Sequence, residues 1–237
     1  MTIRPTFWPT VFTVPALIVL VALGFWQLQR LHWKEDLITK LHDRATAEAV
    51  DLPAGALSAP DEWQFRRVRV SGVFAHDKET HVLNRSLRGN PGVHVMTPLV
   101  RSDGGGAVLV DRGWVPFKRR DPKDRAAGQI GGTVVVEGIL RLEAGQGRFV
   151  PDNEPAKNAW FFVDTKAVAS HTGVGLEPGY YIVSGDDAVA GGFPIGRQWR
   201  LDIRNDHLQY AITWFSLAIA LLVIYLLYMR GLRRTAK

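Results

Sequence analysis

The chain contains no cysteine among its 237 residues. That excludes disulfide staples, thiolate metal sites, iron–sulfur ligation and covalent c-type haem attachment. Thioethers are almost as scarce, with Met1, Met96 and Met229 the only methionines. The soft sulfur set that a copper chaperone needs is therefore missing too. The net charge of +6 falls largely on residues that flank apolar blocks, and no long basic run carries interleaved aromatics. That argues against nucleic acid as a partner. Standard catalytic patterns are absent: there is no G-x-S-x-G, P-loop, H-E-x-x-H or dinucleotide fingerprint. Carboxylates are scattered, and no residue pattern asks for an enzyme.

Charge is also missing from two stretches, Val11 to Leu28 and Leu208 to Met229. As helices they are about 27 and 33 Å long, matching a hydrocarbon core of about 30 Å. The expected class is an α+β membrane protein. Two transmembrane helices, at 11–29 and 205–229, flank a mostly antiparallel sheet or small barrel domain at 30–204. Short tails, 1–10 and 230–237, complete the chain. The first apolar run ends in Trp26, Gln27, Gln29 and Arg30 rather than in a small-residue cleavage site, which reads as a retained anchor. Trp8, Trp26 and Trp33 suit the membrane interface. Arg230, Arg233, Arg234 and Lys237 after the second span mark the cytoplasmic side. Both termini are then cytoplasmic, with the middle domain outside, as in a bacterial periplasm.

Between the spans, Leu31, Leu37, Ile38 and Leu41 recur at helical spacing, so about 30–49 reads as helix. From Phe65 the period changes to two. Val68 and Val70 alternate with Arg67, Arg69 and Ser71. Further strands are expected at Thr80–Arg85, Val93–Val100, Ala107–Val115, Thr133–Arg141, Ala159–Asp164 and Tyr180–Ser184. Asp103 with Gly104–Gly106 reads as a hairpin turn. Trp160, Phe161 and Phe162 are candidates for the core.

Six of the seven histidines read as ordinary. His76 and His81 beside a turn suggest solvated side chains, His94 points away from the core, His171 sits in a loop, and His32 and His42 lie on a polar helix face. His207 differs, because it stands at the start of the second span, where Asn205 or Asp206 can cap the helix. Tyr210, Ala211, Trp214 and Ala218 fall on its side at helical spacing. One imidazole with aromatic walls and small residues suits a flat cofactor such as haem. The same residues equally suit an interfacial aromatic cluster with a histidine at the headgroups. Trp26, Arg30, Trp33 and Leu37 share one face of the first helix. Arg30, with Arg200 and Arg204, suits haem propionates, lipid headgroups or an acidic loop of a partner. In the run from Val110 to Pro116, Arg112, Gly113 and Trp114 form either a contact surface or a structural corner.

Three stretches together carry a more specific likeness. They are Leu23-Gly24-Phe25-Trp26-Gln27-Leu28-Gln29-Arg30-Leu31, then Val110-Asp111-Arg112-Gly113-Trp114-Val115-Pro116, and last Asn205-Asp206-His207-Leu208-Gln209-Tyr210-Ala211-Ile212-Thr213-Trp214-Phe215. In order and spacing the chain resembles the Surfeit-locus family of cytochrome oxidase assembly factors, in their bacterial form. Asp111 and Asp206 stand where many members carry Asn. The resemblance implies maturation of haem–copper terminal oxidases, with haem a bound non-covalently and its delivery to cytochrome c oxidase subunit I aided. It places the axial haem ligand at His207 and motif roles at Trp26, Arg30, Arg112, Trp114, Tyr210 and Trp214. Oxidase subunit I, haem a synthase and membrane lipid are the partners it suggests. A scaffold that holds immature subunit I without binding haem is the competing expectation.

Overall fold

The computed structural model describes residues 7–185, 189–199 and 205–235, the last four by backbone alone. It divides into two compact units, residues 1–40 with 201–237, and residues 41–200.

The first unit holds α1 (Phe7–Thr46) as far as Lys40, and the chain's last helix (His207–Thr235). Helix α1 runs without a break through the span and the helix expected beyond it, and Pro15 lies within it. At 1.5 Å per residue it is about 60 Å long, roughly twice a hydrocarbon core. The less exposed residues of α1 recur as Thr13, Leu17, Leu20, Gly24, Gln27 and Leu31. In the last helix they are His207, Ala211, Trp214, Ala218, Leu221 and Tyr225. Both sets alternate steps of three and four, the spacing of a left-handed helix pair. The pair is antiparallel. Thr10 and Tyr225 share a hydroxyl hydrogen bond of 2.7 Å, and Phe25 meets Phe215 edge-on at 5.5 Å. The remaining apolar side chains, among them Phe12, Ile18, Ile219 and Ile224, are exposed. That is the surface of a helix pair made for lipid rather than of a helix inside a soluble core.

The second unit is built on a sheet. Its elements follow the chain as β1 (Val50–Asp51), α2 (Pro60–Trp63), β2 (Arg67–Phe74), β3 (Thr80–Leu87), β4 (Asn90–Arg101), β5 (Ala107–Pro116), β6 (Thr133–Leu142), α3 (Thr165–Thr172) and β7 (Tyr180–Ser184); the last helix of the chain is α4. The strand order is β1-β2-β6-β7-β5-β4-β3, with an added pairing of β2 to β4. That extra pairing joins Gly72–Phe74 to Leu99–Arg101 and closes β2, β6, β7, β5 and β4 into a small barrel. Closure removes the open edges that these strands would otherwise carry. Among the named strands, only β1–β2 and β5–β7 pair in parallel.

Alternation explains the interior. Val68 and Val70 of β2 point inward while Arg67 and Arg69 face out and share Glu137 on β6. They meet Leu99, Val108, Val110, Val136, Leu140 and Ile182 inside the barrel. A second cluster forms on the other face of the sheet, where Val82, Met96 and Leu109 pack on Trp160 and Val168. The β4–β5 hairpin turns at Asp103, whose carboxylate accepts from the Gly105 amide at 3.0 Å and from Arg101.

Three local expectations change. Ala159–Asp164 is not a strand: it makes single bridges at Ala159 and Trp160 and then bends, because Asn153 takes the Phe161 and Phe162 amides onto its side chain. Of the three aromatics there, only Trp160 is fully buried. His171 lies in α3, which Asp164 caps through the Ala167 amide. His81 is buried and His76 half-buried, since their neighbours form a charge cluster described below.

Candidate functional site

In the membrane pair, His207 Nδ1 donates to Gln27 Oε1 at 2.7 Å. Helix α4 starts at His207, and Gln27 stands on the seam of α1 between Gly24 and Leu31. Gln27 is 17 residues beyond Thr10, so this bond and the Thr10–Tyr225 bond are about 26 Å apart along the helix. The two polar clasps therefore bracket an apolar seam about as thick as the hydrocarbon core. Satisfying Nδ1 fixes the imidazole orientation and leaves Nε2 as the nitrogen with a lone pair.

Trp26, Arg30, Trp33 and Leu37 each stand one residue before a seam position of α1, and Tyr210 does the same in α4. Antiparallel helices bring these matching flanks to one side. Trp26, Trp33 and Tyr210 are 53%, 51% and 54% exposed. The Arg30 guanidinium lies 4.0 Å over the Trp33 ring. Trp214 is half-buried on the seam, below His207 and Ala211. These residues form an aromatic strip with one cation. Arg200 and Arg204 lie outside the described residues. An imidazole with Nε2 open, aromatic surface and a cation suits haem, so the donor set present fits that group.

The sheet unit resolves the second motif differently. The β4–β5 register slips between Val95–Gly113 and Met96–Asp111, which makes Arg112 the extra residue of a bulge. Gly113 has φ +121°, and the Ile195 carbonyl oxygen would sit 1.9 Å from a Cβ there. Trp114 bonds the Ile195 backbone in both directions, and its indole covers Gly92. Arg112 is buried. It donates to the Gly128 carbonyl at 2.6 Å, reaches His76 at 3.3 Å, and lies 4.8 Å over the Phe74 ring. Burial pushes its guanidinium down to about 10. Arg112 and Trp114 are packed inside the chain, which is the geometry of a structural corner.

Beside Arg112 lies a cluster that no local pattern announced. Glu79 is buried, accepts from His81 Nε2 at 2.6 Å, and pairs with buried Arg125. Burial pushes the Glu79 carboxyl up, but the bonds from His81 and Arg125 outweigh it and hold the carboxyl below its usual range. Burial lowers the His76 imidazole. Gln27 was likewise missed as a site residue. Its one local signal was a primary amide inside a charge-free span.

Two apolar helices that flank a closed β-domain along the chain define an α+β membrane protein. The chain matches the family model described as SURF1 family over residues 14–219. It is 38% identical to Surfeit locus protein 1 of Mus musculus, over 90% of this chain and 72% of that protein. It is also 38% identical to Surfeit locus protein 1 of Homo sapiens, over 90% and 74%. With the SURF1-like protein of Monosiga brevicollis it shares 36% identity over 88% and 82%. The chain belongs to the SURF1 family.

Proposed function

We propose that the chain holds haem a at the membrane boundary, where His207 would ligate its iron, and aids its delivery to cytochrome c oxidase subunit I. Membership of the SURF1 family implies the coarser half of this reading, an assembly factor for cytochrome c oxidase. The observation that carries the finer half is the His207–Gln27 hydrogen bond. Metal-ligating histidines typically donate their other ring N–H to a fixed acceptor, and here Gln27 is that acceptor.

When bound, the haem iron supplies a Lewis-acidic centre for the imidazole nitrogen. The chain's residues do the rest. Gln27 holds the ring and its tautomer. Trp26, Trp33 and Tyr210 offer flat apolar surface, and Arg30 offers a guanidinium to propionate carboxylates. A single protein ligand suits release to a neighbouring subunit. Haem a synthase is the proposed donor side, and lipid surrounds both helices. The proposed setting is a bacterial inner membrane with both termini cytoplasmic and the barrel periplasmic.

The test is the absorption spectrum of detergent-purified protein from cells that make haem a, beside His207→Ala. A haem band in the parent that is lost or shifted in the variant is expected. A well-folded parent without haem overturns the reading and favours a haem-free scaffold for subunit I. Equal haem in both moves the ligand elsewhere.

A further inference from the structure

The barrel unit carries a recess of about 550 Å³ that neither the corner nor the membrane pair uses. Strands β3, β4, β5, β6 and β7 and the segment around Arg197 all contribute to it. Among its lining residues are Arg85, Arg141 and Arg197, together with His94, Asp111 and Tyr181.

Arg85 and Arg141 line it beside one carboxylate, and that carboxylate is already committed. Asp111 Oδ2 accepts from His94 Nδ1 at 2.7 Å, and Oδ1 accepts from the Gly113 amide at 3.0 Å. Neither Arg85 nor Arg141 forms a salt bridge with a described residue. Arg141 rests on the Phe65 ring at 4.5 Å, yet its Nε is buried without a hydrogen-bond partner. A buried donor left unmade is destabilising, and a bound acceptor relieves it. Like charges that line one recess also favour an anion between them. Tyr181 supplies a phenol that burial keeps protonated, so it too can donate. Planar forks with several N–H donors match carboxylate and phosphate oxygens, and donors on several walls suit a tetrahedral anion because its oxygens point in several directions.

We propose that this recess binds a phosphate-class anion, taken as free phosphate or as a phospholipid headgroup. Arg85 and Arg141 hold its oxygens, and the His94–Asp111 pair with Tyr181 closes the remaining wall. The site is independent of haem and of His207.

The test titrates detergent-purified full-length protein, in an uncharged maltoside, with inorganic phosphate and separately with dihexanoyl phosphatidylglycerol. Saturable binding of phosphate identifies free anion, and saturable binding of the lipid alone identifies a headgroup. In either case the Arg85→Gln/Arg141→Gln double variant weakens binding about tenfold or more. Arg67→Gln, outside the recess and paired with Glu137, leaves it unchanged. Should the double variant fail to fold, Arg85→Gln alone decides, since Arg85 is exposed and its loss spares the packing. Several-fold weaker binding in that variant supports the site. Saturable binding of neither probe, or unchanged affinity in these variants, overturns it.

Discussion

Phe215 occupies the volume that a side chain on Gly24 would need, because a Cβ built on Gly24 lies 2.6 Å from Phe215 Cε1. The close approach of α1 and α4 therefore depends on the absence of a single methyl group. Small residues play this part in membrane helix pairs, where packing rather than water drives association.

Gly24→Leu should push the pair apart at a cost of about 1–3 kcal/mol. The chain has no cysteine, so a Thr10→Cys/Tyr225→Cys pair joined by a short bifunctional thiol reagent makes a clean reporter, because the contact runs through the length of the Tyr225 side chain, which a direct disulfide does not span. Those side chains touch across the helices. Crosslinking yield should fall sharply when Gly24→Leu is added. An unchanged yield would mean that the ring of Phe215 moves aside freely.

Gln27→Leu removes the acceptor of the His207 Nδ1 proton while keeping similar volume. Loss of such a supporting partner typically costs about 10–100-fold in metal affinity. Haem titration of the folded variant should show that loss with the His207 ligand still present. Gln27→Asn, with a shorter reach, should fall between parent and Leu. Full affinity in Gln27→Leu would remove Gln27 from the site.

Gly113→Ala should destabilise the barrel unit by about 2–4 kcal/mol. Its φ of +121° is unsuited to a side chain, and the Ile195 carbonyl blocks the space. The melting temperature read from the far-ultraviolet β signal should drop. Gly175→Ala, where nothing lies within 4 Å, should leave it almost unmoved.

Glu79 predicts an acid limb. Its carboxyl is held below the usual range in the folded chain. The stability it adds is therefore complete above the unfolded value of about 4.3, and is lost as pH falls through the lower folded value. The melting temperature of Glu79→Gln should be reduced at neutral pH and should vary less below about pH 4.3 than that of the parent. Arg125→Ala leaves the buried carboxylate without its cation and should cost about 3–5 kcal/mol. Similar acid slopes in parent and Glu79→Gln would place the acid limb elsewhere.

Much of the architecture was legible along the chain because its signals are local. Charge-free runs of membrane length set the two helices. Alternation at Val68 and Val70 set β2, and the Asp103 turn set the β4–β5 hairpin. The segment at Ala159–Asp164 misled, since aromatic residues suit a strand while Asn153, distant by several residues, draws its amides away. His81 misled for a similar reason. A histidine beside a turn looks solvated until Glu79 and Arg125 close over it.

By itself, the sequence determined that this chain has two lipid-length helices, an alternating β-domain between them, and an imidazole at the start of the second span. Each follows from neighbours in the chain and from the solvent they avoid. Tertiary structure decided what those parts meet. It closed β2 onto β4, set Gln27 against His207 across 180 positions, buried Arg112, and gathered Arg85, Arg141 and Arg197 around one recess. Periodicity records which face a residue presents. Which distant residue will face it is fixed only when helices pair and the barrel closes, because the free energy of those contacts belongs to the packed whole.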